Sequence, residues 1–258
     1  MKQYMVDAFT DRVFSGNPAA VCVLQDWPDD QLMKNIALEN NLSETAFVVK
    51  EPDGYRLRWF TPKDEINLCG HATLATAFVI LNYYDTDADT VEFNTVSGKL
   101  YVTKKDDLYE MDFPTYELKE IPVTDDMERA FGARPSRAIL SMDLICVFDD
   151  EETVRKMEPD LSRIEQLPGR VHNATARGTE TDCATRSFGP KCGIPEDPVC
   201  GSAHCQVADY WSKVTGKKEI VAYQASKRGG TLYCELKEDG RIRISGKSVL
   251  FAVSELQL

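Results

Sequence analysis

The side chains best suited to chemistry gather at two similar stretches, Cys69-Gly70-His71-Ala72 and Cys200-Gly201-Ser202-Ala203. Each follows an Arg-x-Phe-x-Pro-Lys segment, Arg58-Trp59-Phe60-Thr61-Pro62-Lys63 in one case and Arg186-Ser187-Phe188-Gly189-Pro190-Lys191 in the other. An apolar run free of proline starts just after each Cys-Gly, with spacings near three and four, so each dipeptide is expected at a helix N-terminus. Unpaired N–H groups and the positive end of the helix dipole gather there, which favours an anion and lowers the pKa of a thiol. Two such helix ends brought together would hold a carboxylate.

The remaining reactive side chains narrow the chemistry. Of the three histidines, His71 and His204 follow the Cys-Gly dipeptides and His172 lies outside both motifs. Cys183, Cys192, Cys200, His204 and Cys205 cluster in sequence, but their spacings do not reproduce the close cysteine pairs of structural zinc sites, and no metal is expected. Gly201-Ser202-Ala203 lacks the Gly-x-Ser-x-Gly elbow of a serine hydrolase. Glu196 and Asp197, with Pro198, precede the second helix start, where a carboxylate can cap the helix or orient a substrate amine or hydroxyl. Glu44 stands in Leu42-Ser43-Glu44-Thr45-Ala46-Phe47, a polar junction feeding an apolar strand, where its carboxylate faces either solvent or a cleft.

The elements that must position these groups repeat. The two motif cysteines are 131 positions apart in a chain of 258, which marks a duplicated half rather than a solenoid. Tyr4 to Phe9 and Ala19 to Leu24 read as strands around a Gly16-Asn17-Pro18 turn, and Pro28-Asp29-Asp30 opens a helix that stops near Asn40-Asn41. Tyr55 to Phe60 alternates as a half-buried strand and delivers the first motif. Short strands follow each motif helix, Pro114 to Pro122 is the expected crossing between halves, and Val171 to Thr175 is ambiguous. The expected domains are 1–115 and 116–258, with the final strand able to return to the first half. Strands do not alternate regularly with helices, so an α+β fold is expected rather than a doubly wound parallel sheet.

Thirty basic against forty-two acidic side chains give a net charge of −12, the wrong sign for nucleic acid. Attraction of an anionic metabolite must then come from local groups. No apolar segment approaches the length of a membrane span, and the first residues carry an acid where a signal peptide would be apolar, so a cytoplasmic location with free thiols is expected.

Taken together, Asp7-Ala8-Phe9, Gly16-Asn17-Pro18, Leu42 to Phe47, Phe60-Thr61-Pro62, Cys69 to Thr73, Arg186-Ser187-Phe188 and Glu196 to His204 resemble the phenazine-biosynthesis isomerase (PhzF-like) family. The resemblance spans essentially the whole chain. It implies a diaminopimelate-epimerase-like fold: two pseudo-symmetric halves, each a curved, mostly antiparallel sheet wrapped round a central helix, with the active site between them and a homodimer as the assembly. It further implies Glu44 as the catalytic acid/base, with Asn17, Ser43, Gly70, His71, Asp197, Gly201 and Ser202 lining the substrate site. The reaction implied is movement of a proton between carbons of a small unsaturated or amino acid, without metal or organic cofactor, and Glu44 is expected to be protonated when ligand is bound. Related racemases of this fold place opposed thiols where Cys69 and Cys200 stand, so a two-thiol amino-acid racemase or epimerase is the alternative. A non-catalytic protein that binds a small acid is a further reading, because a fold alone does not fix function.

Overall fold

The chain divides into two units, Met1–Asp112 with Ser245–Leu258 and Phe113–Ile244, in a computed structural model that describes residues 1–258. The first unit begins with β1 (Lys2–Ala8), β2 (Asn17–Leu24), α1 (Asp30–Asn40), β3 (Glu44–Glu51), β4 (Gly54–Phe60) and β5 (Glu65–Ile66). It continues through α2 (Gly70–Tyr83), β6 (Thr90–Thr95), β7 (Gly98–Lys105) and β8 (Leu108–Pro114). The second unit holds β9 (Lys119–Ile121), α3 (Asp125–Phe131), β10 (Arg137–Leu140), β11 (Leu144–Val147), α4 (Glu151–Lys156) and α5 (Leu161–Ile164). After these come β12 (His172–Arg177), β13 (Cys183–Gly189), β14 (Ile194–Asp197), α6 (Gly201–Thr215), β15 (Glu219–Gln224), β16 (Gly230–Leu236) and β17 (Arg241–Gly246). The last strand, β18 (Ser248–Glu255), pairs antiparallel with β1 and so belongs to the first unit.

The two units share one pattern of strand directions. In the first, β1 and β2 are antiparallel, β2 and β3 parallel, β3 and β4 antiparallel, β4 and β6 parallel, and β6 and β7 antiparallel. In the second, β10 and β11, β11 and β12, β12 and β13, β13 and β15, and β15 and β16 repeat that series in order. The duplication visible in the motifs is therefore a duplication of topology, and the architecture is α+β.

Each sheet curves round one helix. α2 touches β1, β2, β3, β6, β7 and β18, and its Ala72, Leu74, Ala75, Ala77, Val79 and Ile80 are all sealed from solvent. A helix apolar almost all round belongs in a core, and each Leu or Ile side chain buried this way contributes roughly 1.5–3 kcal/mol. Thr73 and Thr76 sit in that core because their hydroxyls donate to the carbonyls of Cys69 and Ala72, one turn back. α6 packs against β15 and β16 and buries Ala203 to Trp211. A second cluster of the first unit, with Met33, Ile36, Phe47 and Phe60, seats α1 on β3 and β4.

Local signals account for most boundaries. Asp29 caps α1 by accepting from the Leu32 N–H, and Asn41 ends the helix at φ 50°, a conformation Asn tolerates. Most of the ambiguous Val171–Thr175 region is strand β12, which starts at His172; the Trp211 indole of α6 donates to its Thr175 Oγ1 at 3.0 Å. The stretch 114–122 is not wholly connector, since Lys119–Ile121 forms β9 and pairs with β10. No helix is long and apolar enough to cross a membrane.

Candidate active site

In the first unit, the side chains suited to chemistry meet at the starts of β2, β3 and α2. A turn at Gly16 feeds β2 with φ +65°, and a Cβ there would stand 2.1 Å from the Ala8 carbonyl oxygen, so glycine is required. The turn is tied down by Asp7, which accepts from the Phe14 N–H at 2.9 Å. It delivers Asn17 as the first residue of β2, fully buried, rather than as a turn residue open to solvent. β2 and β3 run parallel in the register Ala19 to Glu44, which brings the two strand starts side by side. Glu44 is the first residue of β3 and only 5% exposed, so the solvated-loop alternative does not hold. Ser43, just before it, is half-buried.

Cys69 is the N-cap of α2 and makes no capping hydrogen bond through its side chain. Gly70 opens the helix, and the space where its Cβ would point is empty to 4 Å, which leaves room for a ligand beside the first-turn N–H groups. His71 follows and is 6% exposed. Its Nδ1 lies 3.2 Å from Asn17 Nδ2 and 3.5 Å from Cys69 Sγ, while its Nε2 lies 3.2 Å from Glu44 Oε2. Burial pushes the His71 pKa down from 6.5 to about 3, so the ring is neutral near neutral pH. With the Asn17 amide donating to Nδ1, the single ring proton sits on Nε2, which lies near Glu44 Oε2 without a hydrogen bond between the two atoms.

Glu44, Cys69 and His71 each offer a donor atom within 4.8 Å of the others, which is close enough to consider a metal. The thiol and the carboxylate, however, address opposite nitrogens of one imidazole. The ring thus lies between the thiol and the carboxylate.

The second unit builds a corresponding start for α6. Cys200 is the N-cap and again supplies no capping hydrogen bond, so the two Cys-Gly dipeptides are helix starts as their sequence suggests. Asp197 is not the N-cap residue of the helix. It ends β14, and its Oδ1 accepts from the Val199 N–H at 3.1 Å, which shapes the turn into Cys200. Gln224 braces the same turn, accepting from the Cys200 N–H and donating to the Asp197 carbonyl, both at 3.4 Å. Ser202 Oγ lies 3.5 Å from Cys200 Sγ. His204 is sealed from solvent, and its Nδ1 lies 2.8 Å from the Cys200 carbonyl.

The Cys200 thiol departs from the helix-start expectation. Burial, followed by the nearby Asp197 charge, pushes its pKa well above the ordinary thiol range. Desolvation of a thiolate here outweighs the favourable helix end, because the latter acts on a group already taken out of water.

The motif arginines, singled out in the sequence without a role, act as clamps. Arg58 grips Glu65 of β5 through two bonds of 2.7 Å, and Arg186 grips Glu196 of β14 at 2.7 and 2.9 Å. Both pairs are partly buried and bidentate, and each pins the short strand that leads to its Cys-Gly turn. Arg186 also donates to the Met157 carbonyl, and the rings of Phe60 and Phe188 lie beneath the two guanidinium groups. The contacts around Arg170, Asp143 and Gln206 were not foreseen from the sequence. The available signal was a glutamine, Gln206, on the buried side of α6, where an amide needs partners.

The structure thus brings Asn17, Glu44, Cys69 and His71 together in the first unit, with Ser43 and Gly70 adjoining them in the chain. It groups Asp197, Cys200, Gly201 and Ser202 in the second. The model of the phenazine biosynthesis-like protein family, PhzC-PhzF, matches residues 6–254. An uncharacterised isomerase of Pseudomonas aeruginosa is 45% identical over 256 residues, covering 99% of this chain and 98% of its own. The crystal structure of a PhzF-family protein from Enterococcus faecalis is 51% identical and superposes with a TM-score of 0.97 over 100% of this chain and 99% of that one. A probable proline racemase from Agrobacterium radiobacter, 10% identical, shares the fold alone, with a TM-score of 0.67 over 100% of this chain and 93% of its own. The motifs, the duplicated topology and these matches over nearly the whole length agree: the chain belongs to the phenazine biosynthesis-like, or PhzF, family.

Proposed function

We propose that this protein is an isomerase that moves a proton between carbons of a small unsaturated or amino acid, by acid/base catalysis at Glu44 and without a cofactor. The observation that carries this reading is the approach of Glu44 Oε2 to His71 Nε2 at 3.2 Å, with both side chains 7% exposed. A general acid/base must be held near the reacting carbon and shielded from bulk water, and a carboxyl group at a buried strand start meets that need. Protonated Glu44 donates its proton to one unsaturated carbon of the substrate and removes a proton from another carbon as the electron pair shifts along the conjugated system. The carboxyl group ends as it began, and no electrons are gained or lost.

Neutral His71 suits this cycle better than a charged one. Its Nε2–H, 3.2 Å from Glu44 Oε2, needs only a small turn to donate to the carboxylate formed when Glu44 has given up its proton, and it adds no full charge that would hold Glu44 permanently ionised. Asn17 fixes the ring orientation through Nδ1. Asn17, Ser43, Gly70 and His71 are proposed to bind the substrate together with Asp197, Gly201 and Ser202, the latter set on the strength of the duplicated Cys-Gly motif. A homodimer is part of the same reading, and sedimentation equilibrium is its check.

The reading is tested by incubating the protein in deuterium oxide with a panel of amino acids and cyclohexadiene carboxylic acids, followed by mass spectrometry. Enzyme-dependent incorporation of deuterium at carbon is expected for at least one acid. Tight binding of an acid with no incorporation would favour a protein that only senses it.

A further inference from the structure

The strand registers align the two halves residue by residue. Thr45 on β3 lies opposite Phe60 on β4, and His172 on β12 lies opposite Phe188 on β13. Phe60 and Phe188 hold the same place in the repeated motif, so Glu44 corresponds to Val171 and Ser43 to Arg170. Counting from the two cysteines, His71 corresponds to Ser202. The position matching Glu44 thus holds Val171, and it is the position matching Ser43 that supplies a charged group: Arg170 Nη2 donates to Ser202 Oγ at 3.0 Å.

Much of the second unit is committed to holding Arg170 in place. Asp143, fully buried, accepts from Arg170 Nε at 3.3 Å, from the Val171 N–H at 3.2 Å and from Gln206 Nε2 at 2.8 Å. Gln206 Oε1 in turn accepts from the Asp143 N–H at 3.0 Å, which fastens this loop to α6. A buried carboxylate costs several kcal/mol unless it is paired and hydrogen-bonded, so Asp143 persists only with these partners. From the other side Lys191, the motif lysine, donates to the Leu167 carbonyl at 2.5 Å and to the Gly169 carbonyl at 2.8 Å. Gly169 itself has φ +91°, and a Cβ there would stand 2.6 Å from the Leu144 nitrogen. The guanidinium so held remains 46% exposed.

We infer that Arg170 is a specificity-determining residue of the second half-site, orienting Ser202 and requiring a carboxylate on the substrate. A hydroxyl that accepts from a guanidinium aims its own proton at another acceptor, here Cys200 Sγ at 3.5 Å, and a bound carboxylate would be a stronger one. The guanidinium is always charged and its fork matches a carboxylate, and in a chain of net charge −12 it supplies the local attraction an anionic ligand needs. The inference rests on the proposed function only in taking Ser202 as a substrate-binding residue.

The test uses cyclohexa-1,3-diene-1-carboxylate and its primary amide as probes, titrated into the full-length protein and into the Arg170→Gln and Arg170→Lys variants, with amide chemical shifts as the readout. In the unmodified protein the carboxylate should shift the amide signals of Gly201 to Ala203 and bind roughly tenfold or more tightly than the amide, the scale of a charge-assisted hydrogen bond. Arg170→Gln should remove most of that preference while the remaining spectrum stays that of the folded protein, and Arg170→Lys should restore part of it. An unchanged preference in Arg170→Gln, or no shift at these amides by the carboxylate up to its solubility, would overturn the inference. Binding is read from amide shifts whether or not the probe exchanges a proton, so its failure leaves proton transfer at Glu44 standing, and a failure of deuterium exchange leaves this result readable.

Discussion

Replacing Glu44 by glutamine is expected to remove proton transfer almost entirely while leaving fold and ligand binding close to those of the parent protein. The substitution keeps the shape of the side chain and an oxygen that can face His71 Nε2, so the start of β3 is not emptied. What it removes is the group that gives and takes a proton. General acid/base groups contribute typically about 10²–10⁴ in rate, and a loss of that order in deuterium incorporation is the expected result. Activity within a fewfold of the parent would remove Glu44 from the chemistry. A variant that no longer binds acids would assign it a binding role instead.

The second large contrast concerns the thiols. If Glu44 carries the proton, a protein with both Cys69→Ser and Cys200→Ser should keep much of its activity, whereas a two-thiol racemase would lose nearly all of it. The structure supports the first outcome through Cys200, whose pKa lies well above the ordinary thiol range because the group is buried beside Asp197. Such a thiol is a poor base near neutral pH, since the thiolate is the reactive form. Cys69 lies 3.5 Å from His71 Nδ1, and the neutral ring there is already addressed by Asn17 at 3.2 Å. Serine preserves the size and polarity of both N-cap positions, so lost stability would not obscure the comparison. Stereochemistry supplies a second readout: chiral analysis of the product should show no inversion of an amino-acid α-carbon in the unmodified protein.

Much of this arrangement was legible in the sequence, for identifiable reasons. The helices α2 and α6 follow from proline-free apolar runs after Cys-Gly, and the end of α1 follows from Asn41, whose left-handed backbone is a local property. The burial of Glu44 was not readable from local pattern, which favoured a solvated loop glutamate; the family resemblance pointed to it as a site residue, and the register of β2 with β3 places it in a buried strand start. Asp197 reads locally as a helix cap, whereas Cys200 is the N-cap and the Asp197 carboxylate shapes the turn to Val199, which Gln224, twenty-seven residues along the chain, also braces. The short strands β5 and β14 escaped detection because they owe their place to Arg58 and Arg186, not to strand propensity. The Asp143–Gln206 bonds join residues sixty-three apart, a separation at which pattern carries no information. Helix-end logic also misjudged the Cys200 thiol, since the degree of burial is a tertiary quantity.

A proton donor must carry its proton when the substrate is in place, and that requirement gives the most direct test of the account. Glu44 lies in a buried site beside a neutral imidazole, and an incoming carboxylate adds negative charge without a compensating cation from His71. Ligand binding near neutral pH should therefore draw a proton from solution. Titration calorimetry with the acid identified by deuterium exchange, repeated in buffers of different ionisation enthalpy, measures that uptake as the slope of observed heat against buffer enthalpy. The account predicts net uptake in the unmodified protein and its loss in Glu44→Gln; no uptake, or the same uptake in both proteins, would contradict it.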